Sequence, residues 1–404
     1  MTDESSPGTS SGKRFTNRWL SRLTGGRATR IELYVVAALI FASAGGISYA
    51  AISSSGSAPS ATKNATSTTT TIPLSTTIAS TEPSSTTSSV TTTSLTTSPT
   101  TSVPVWPPAI AATRLTAPEG WGLTLGPDGN IWYVTGGLDV ARVTPSGQVT
   151  LFPYNDTLTN GQGTVSAITT GPDGNLWFTM LNGDKVGRIT PAGDVTEFDT
   201  PAQGMIVTGG DGDLWFRTGQ RSISQMTTGG VVTTYSTTGL PQELAEGPDG
   251  NIWFTETGGL IGRLTPDGQL TEFSVPTTGG TGWRAIISGA DGNLWFFGDG
   301  QVGRITTSGV VTQWPASAAI AGDGVGQMTR TSDGRIWFVT GDPLGSACSD
   351  LAELNPDGTE SVWRPTPCIG FSKAITVGPD GNLWLSSGVA GDSQGLAVIQ
   401  PPSS

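Results

Sequence analysis

From Trp106 onward the chain alternates apolar and polar residues in short runs, each bounded by Gly, Pro, Asp or Asn. Alternation with a period of two is the pattern of a half-buried β-strand, and this region shows no helical period. One stretch sets the unit. Its runs are Ser166–Thr170, Asn175–Met180, Lys185–Thr190 and Asp194–Phe198, separated by Gly-Pro-Asp-Gly, Asn-Gly-Asp, Pro-Ala-Gly and Asp-Thr-Pro. Proline presets φ and glycine supplies positive φ, so the separators predict tight turns joining four antiparallel strands.

The unit recurs. Asp-Gly-x-Ile/Leu-Trp lies at Asp128–Trp132, Asp173–Trp177, Asp211–Trp215, Asp249–Trp253, Asp291–Trp295, Asp333–Trp337 and Asp380–Trp384, with 45, 38, 38, 42, 42 and 47 residues between successive tryptophans. Four strands per repeat, seven times over, predict an all-β, seven-bladed β-propeller of four-stranded blades. Gly-Pro-Asp-Gly is then the hairpin corner between a blade's first and second strands, and the following Trp is a plate packed between neighbouring sheets. Calcium does not suit the corner, because one Asp per loop cannot supply the 6–8 oxygens that ion takes. The last copy ends one strand short. Ala111–Ala117, ahead of the first copy, resembles a fourth strand and is expected to complete blade seven and close the ring.

The remainder is not globular. Residues 1–32 are a short basic segment carrying Lys13, Arg14, Arg18, Arg22, Arg27 and Arg30. Residues 33–52 form an uncharged tract long enough to cross a bilayer, with Tyr34 and Tyr49 near its ends. Positive residues stay inside, so this tract predicts a single-pass signal anchor with a cytoplasmic N-terminus and an extracellular propeller. Ala42-Ser43-Ala44 and Ser48-Tyr49-Ala50 leave cleavage as a signal peptide open. Residues 53–105 hold 33 Ser or Thr, too little apolar surface to offset ordering, and predict a disordered stalk reaching roughly 170 Å at about 3.3 Å per residue. Asn64-Ala65-Thr66 is a glycosylation sequon on it.

Charge and cysteine content narrow the chemistry. Residues 106–404, the predicted propeller, carry 13 basic and 28 acidic residues, a net of −15. That makes the region a poor nucleic-acid or anionic-membrane binder, and suits a neutral or cationic ligand or simply solubility. Cys348 and Cys368 are the two cysteines. In an exported protein they predict a disulfide, joining a loop between strands two and three to one leaving strand four on the same rim. The chain has no histidine, and no phosphate loop, triad or zinc cluster. The residues themselves call for no cofactor.

The fuller repeat, "GPDGNLWFTM…KVGRITPAGDVTEF" at Gly171–Phe198 and "GPDGNIWFTE…LIGRLTPDGQLTEF" at Gly247–Phe273, resembles the streptogramin B lyase (virginiamycin B lyase) family of seven-bladed propellers over Ala111 to Gln400. The resemblance implies elimination on a cyclic depsipeptide, with a divalent metal, at one end of the central channel. It also implies two catalytic positions: a His before the first strand, in Pro-His-Ala/Gly-Ile, and a Glu three residues after the blade Trp. Here the first is filled by Trp121, Ser166, Gly204, Gln242, Arg284, Gly326 and Lys373. The second is filled by Thr135, Met180, Thr218, Glu256, Gly298, Thr340 and Ser387. Only Glu256 matches, and its partner position holds Gln242, whose amide cannot act as a base.

The sequence therefore predicts an extracellular binding or interaction module, monomeric and membrane-tethered, for a glycan, peptide or cell-wall fragment. Its candidate site is the channel mouth of Trp121, Gln242, Glu256, Arg284 and Lys373, where the repeat breaks. Arg284 is expected beside Glu256, holding its carboxyl below the usual range. The alternative is an exported lyase or hydrolase opening a cyclic depsipeptide or lactone with Glu256 as the base. Arg142, Arg188, Arg263 and Arg304 recur in the third strands and are expected to pack or to bond between blades.

Overall fold

The computed structural model describes residues 107–135, 139–153, 164–181, 185–277, 282–317, 326–340, 348–370, 372, 374–387 and 395–403. The basic segment, predicted span, stalk, sequon and Lys373 lie outside the described residues. The described part is a seven-bladed propeller: seven sheets, six of four strands and one of five. In blade two the strands are Thr164–Thr170, Leu176–Leu181, Lys185–Ile189 and Val195–Asp199, paired antiparallel in sequence order.

The predicted corner forms, and it has a second job. The carboxylate of Asp173 accepts from the backbone N–H of Asn175 at 3.2 Å, from the Asn175 amide at 2.8 Å, and from the Trp177 indole N–H at 2.9 Å. Gly174 sits at φ +73°, as this turn requires. Gly171 has no room for a side chain, since a Cβ there would lie 2.3 Å from the Trp177 ring. The corner Asp thus satisfies the one polar atom of a fully buried indole. Burial pushes the Asp173 carboxyl up, but the hydrogen bonds from Trp177 and Asn175 outweigh it and hold the group below its usual range. Equivalent Asp-to-Trp bonds join Asp128–Trp132, Asp211–Trp215, Asp249–Trp253, Asp291–Trp295 and Asp380–Trp384.

Each Trp packs into the next blade. Trp132 clusters with Val165, Ile168 and Phe178 of blade two, Trp177 with Ile206 and Phe216 of blade three, and so on round to Trp384, which meets Leu123, Ile131 and Tyr133 of blade one. The seam between blades seven and one is therefore built like the others. The recurrent arginines lie over this layer. Arg142 stands 5.5 Å from the Trp132 ring centre and 5.3 Å from that of Phe152, and donates to the Pro191 carbonyl of blade two at 2.9 Å. Arg263 reaches the Thr307 carbonyl of blade five in the same way.

Closure follows the sequence with one addition. Thr113–Leu115 pairs antiparallel with Leu396–Ile399 and becomes the fourth strand of blade seven. Ala109–Ala111, which ends where the predicted closing segment begins, goes elsewhere: it pairs parallel with Glu360–Thr366 as a fifth, outermost strand of blade six. The chain thus straps two neighbouring outer edges before the ring begins. Cys348 and Cys368 are joined as a disulfide beside that strap. Asp350, fully buried, takes Arg364 at 2.7 and 2.9 Å, and the Arg364 backbone N–H bonds the Pro108 carbonyl.

Candidate functional site

The first strand of a blade lies nearest the axis. In blades one to five its register against the second strand breaks near its start, between Trp121 and Thr124, Val165 and Ala167, Gln203 and Ile206, Pro241 and Leu244, and Trp283 and Ala285. A bulge re-aims side chains locally, a device common beside functional sites. All seven first strands then line one axial cavity of about 220 Å³, walled by residues such as Leu123, Ile168, Ile206, Leu244, Ile286 and Ile375. A wider cavity of about 320 Å³ shares Ile168, Met205, Glu243 and Gln327 with it and adds Trp121, Ser166, Arg284 and Gly326. This second cavity is the channel mouth.

The mouth holds part of the predicted set. Trp121 lines it with 36% of its surface exposed, and Arg284 lines it from blade five. Gln242 does not; its amide lies 3.4 Å from the Leu240 carbonyl and 3.5 Å from that of Pro241, folded back on its own backbone. Lys373 falls outside the described residues. Glu256 is a correction. Its backbone carbonyl does adjoin Gly282, two residues before Arg284. Its side chain instead shares a strand face with Phe254, which packs toward blade three, and it lies against Gly239. Side chains on a strand alternate between faces, so the residue that faces blade three faces away from blade five.

Glu256 is consequently fully buried, and neither carboxyl oxygen reaches a partner at hydrogen-bond distance. The Thr237 hydroxyl and the Gly239 backbone lie near enough to temper its charge without bonding it. Burial first, and the neighbouring Glu272 carboxylate second, push its pKa up to about 7. That is the opposite of the lowering an adjacent Arg284 would give.

Two mouth residues were missed from the sequence. Glu243 and Gln327 follow the positions of Gln242 and Gly326, one residue closer to the core. In the other blades that next position holds Gly122, Ala167, Met205, Ala285 and Ala374. The signal was present in the same repeat alignment, one column along: a carboxyl and an amide among mostly small residues. The Glu243 N–H donates to the buried Thr255 hydroxyl at 3.2 Å, which fixes the bulge, while its carboxyl gains no hydrogen bond or ion pair among the described residues. Although Glu243 keeps some contact with channel solvent, the enclosing walls push its pKa up to about 8. The Gln327 side-chain oxygen is buried without a partner.

A divalent metal does not fit this set. Among the described residues no three His, Cys, Asp or Glu side chains converge. The one carboxyl at the mouth, Glu243, shares it with a cationic Arg284, and Glu256 is turned into the gap between blades three and four.

Three solved structures share the fold. A streptogramin B lyase matches at 24% identity and a TM-score of 0.61, covering 72% of this chain and 97% of its own. Virginiamycin B lyase from Staphylococcus aureus matches at 24% identity with the same TM-score, over 72% and 99%. A catalytically inactive variant of that enzyme with quinupristin matches at 23% identity and TM-score 0.61, over 72% and 100%. No curated protein matches the chain. The model of the virginiamycin B lyase family matches residues 110–205 and 199–392, and with seven Asp-Trp corners arranged around one channel the chain belongs to that family.

Proposed function

We propose that this protein is a membrane-tethered extracellular propeller that binds a small ligand at the channel mouth. The observation that carries the reading is the contrast within one cavity. All seven blades contribute equivalent strands to it, yet Trp121, Glu243, Arg284 and Gln327 depart from the repeat only where they face that space. In a repeat fold the side chains needed for packing recur, and those needed for a ligand do not. The disulfide supports an oxidising compartment. The uncharged tract at residues 33–52 and the Ser/Thr-rich segment at 53–105 support the tether.

A thermal-shift screen of the full chain against glycans, short peptides and cell-wall fragments, with and without divalent metal, tests the reading. A stabilising ligand is expected, and its effect should vanish in Trp121→Ala and Arg284→Ala but persist in Val310→Thr on the outer rim. Equal stabilisation of all three variants would place binding elsewhere.

One observation favours the second reading, an exported lyase on a cyclic depsipeptide or lactone. The Glu256 pKa of about 7 is in the range of a working general base, and the side chain, buried between blades three and four, would have to turn toward the mouth to act as one. A solved neighbour was captured with quinupristin. Ring opening of such a lactone by the purified chain, abolished in Glu256→Gln, would establish it and displace binding alone.

A further inference from the structure

Near the mouth-side rim, polar side chains stand on the face that each blade turns to the blade before it, and in five blades they answer one another. Lys185 bonds Glu197 in blade two. Thr218, Ser224 and Thr234 chain their hydroxyls at 2.9 and 2.8 Å in blade three. Gln313 donates to Gln301 at 2.9 Å in blade five, Arg364 grips Asp350 at 2.7 and 2.9 Å in blade six, and Arg114 reaches Ser387 at 3.5 Å in blade seven. Blade four breaks this pattern. Its places hold two acids, Glu256 and Glu272, with Leu260 where blade two has Lys185. Both carboxyls meet one short segment, the connection arriving from blade three. Glu272 accepts the Thr238 backbone N–H at 2.8 Å, and a Cβ on Gly239 would lie 3.5 Å from the Glu256 carboxyl carbon.

No cation compensates the pair. Arg217, facing from blade three, donates to the Pro241 carbonyl at 3.1 Å and makes no ion pair among the described residues. Arg221 accepts the Thr237 N–H on its carbonyl, but its side chain is exposed. Glu243 of the first strand lines the channel, and Arg284 lines the mouth from blade five. Two ionised carboxylates facing one sealed segment would repel, so one must hold a proton, and the fully buried Glu256 is that one. We propose that Glu256 is a pH-sensitive latch: protonated, it seats the connection from blade three against the rim, and ionised, it releases that connection and loosens the strand start that borders the mouth. The link to the mouth is short. Pro241 pairs with Glu256, and the Thr257 N–H donates to the Leu240 carbonyl at 3.0 Å. Two residues after Pro241, the Glu243 N–H donates to the Thr255 hydroxyl at 3.2 Å.

The closed latch holds one proton more than the open one, and that proton goes to solvent on release. The group sits near 7 when closed and at 4.5 when solvated, so opening becomes about tenfold easier per pH unit between those values and levels above them. Hydrogen exchange of the full chain tests this, read by mass spectrometry over residues 237–243 and 252–257 from pH 5 to 8.5 and corrected for the intrinsic rate. Protection is expected to fall about a hundredfold from pH 5 to 7 and then to level. Glu256→Gln, which cannot ionise, should keep protection flat across the range. Leu260→Lys, which gives blade four the cation that blade two carries, should also remove the fall, with Glu256 ionised against it. Protection independent of pH in the native chain, or a fall that survives in Glu256→Gln, would overturn the inference. So would a fall confined to residues 237–240 that left 241–243 protected, since the latch would then be cut off from the mouth.

Discussion

The outer corner of each blade and the inner start of its first strand are built from the same repeat, and they have opposite degrees of freedom. At the corner the Asp, the Gly and the Trp recur because each answers a local demand: a carboxylate for the indole N–H, a positive φ, and a plate for the next blade. At the inner ring nothing of the kind recurs, since those side chains face a cavity instead of a neighbour. Blade six sharpens the contrast. Its corner Asp333 accepts from Thr331 and Arg335 rather than from Trp337, whose indole nitrogen is left without a partner. Arg335 lies over the Trp337 ring at 5.3 Å, and Glu353 takes the strand place held by arginine in blades one, two, four and five. The corner tolerates one exchange of charges so long as the ring remains covered.

The largest effect should come from breaking the ring. Deleting residues 109–115 removes the outermost strand of blade six and the fourth strand of blade seven together, exposing two edges and the disulfide-bearing rim. The expected outcome is loss of cooperative unfolding and aggregation, read by light scattering and circular dichroism. A monomer that melts cooperatively would show that the seam between blades seven and one holds through Trp384 packing alone.

Next comes the corner itself. Trp177→Ala empties a fully buried site between blades two and three and should cost about 3–5 kcal/mol in denaturant unfolding. Trp121→Ala, on the ring, should cost far less, because that side chain is 36% exposed. Comparable losses at the two would erase the distinction between packing positions and ligand positions.

These same demands explain what the sequence could disclose. Blade number, corner chemistry, closure by the N-terminal segment and the cysteine pair were legible because each repeats or obeys a counting rule. The parallel fifth strand at Ala109–Ala111 was not, since three residues of alternating pattern do not say which edge they join. Glu256 was misplaced because its nearness to Arg284 was judged from backbone position, whereas its parity with Phe254 turns the side chain toward blade three. Glu243 and Gln327 were missed because they lie one column beyond the position that the family pattern marks, and the bulge that re-aims Glu243 in blade four leaves no mark of its own on the sequence.

The disulfide is a smaller test. It closes a loop of 20 residues, so Cys348→Ser with Cys368→Ser should lower stability by about 3 kcal/mol without altering the channel ligand's affinity. Coupled loss of binding would tie the rim strap to the mouth.

The last effect is the most specific to the inner ring. Glu243 has a folded pKa of about 8 against 4.5 when exposed to solvent in the unfolded chain. Between those values the unfolded state releases the proton while the native state keeps it. The group's contribution is therefore fully present below about pH 4.5, is lost as pH rises toward 8, and changes no further above that. An amide at this position does not titrate, so the stability of Glu243→Gln relative to the native sequence should climb across that window and then level. Glu256 titrates in the same direction, with its upper limit near 7, but it is present in both proteins and cancels in the difference. Chemical denaturation of the two proteins at matched pH values gives the curve. A flat difference would mean that Glu243 is ionised throughout, held by the Arg284 guanidinium at the mouth, and that the inner ring is a closed ion pair with no acceptor left for a ligand.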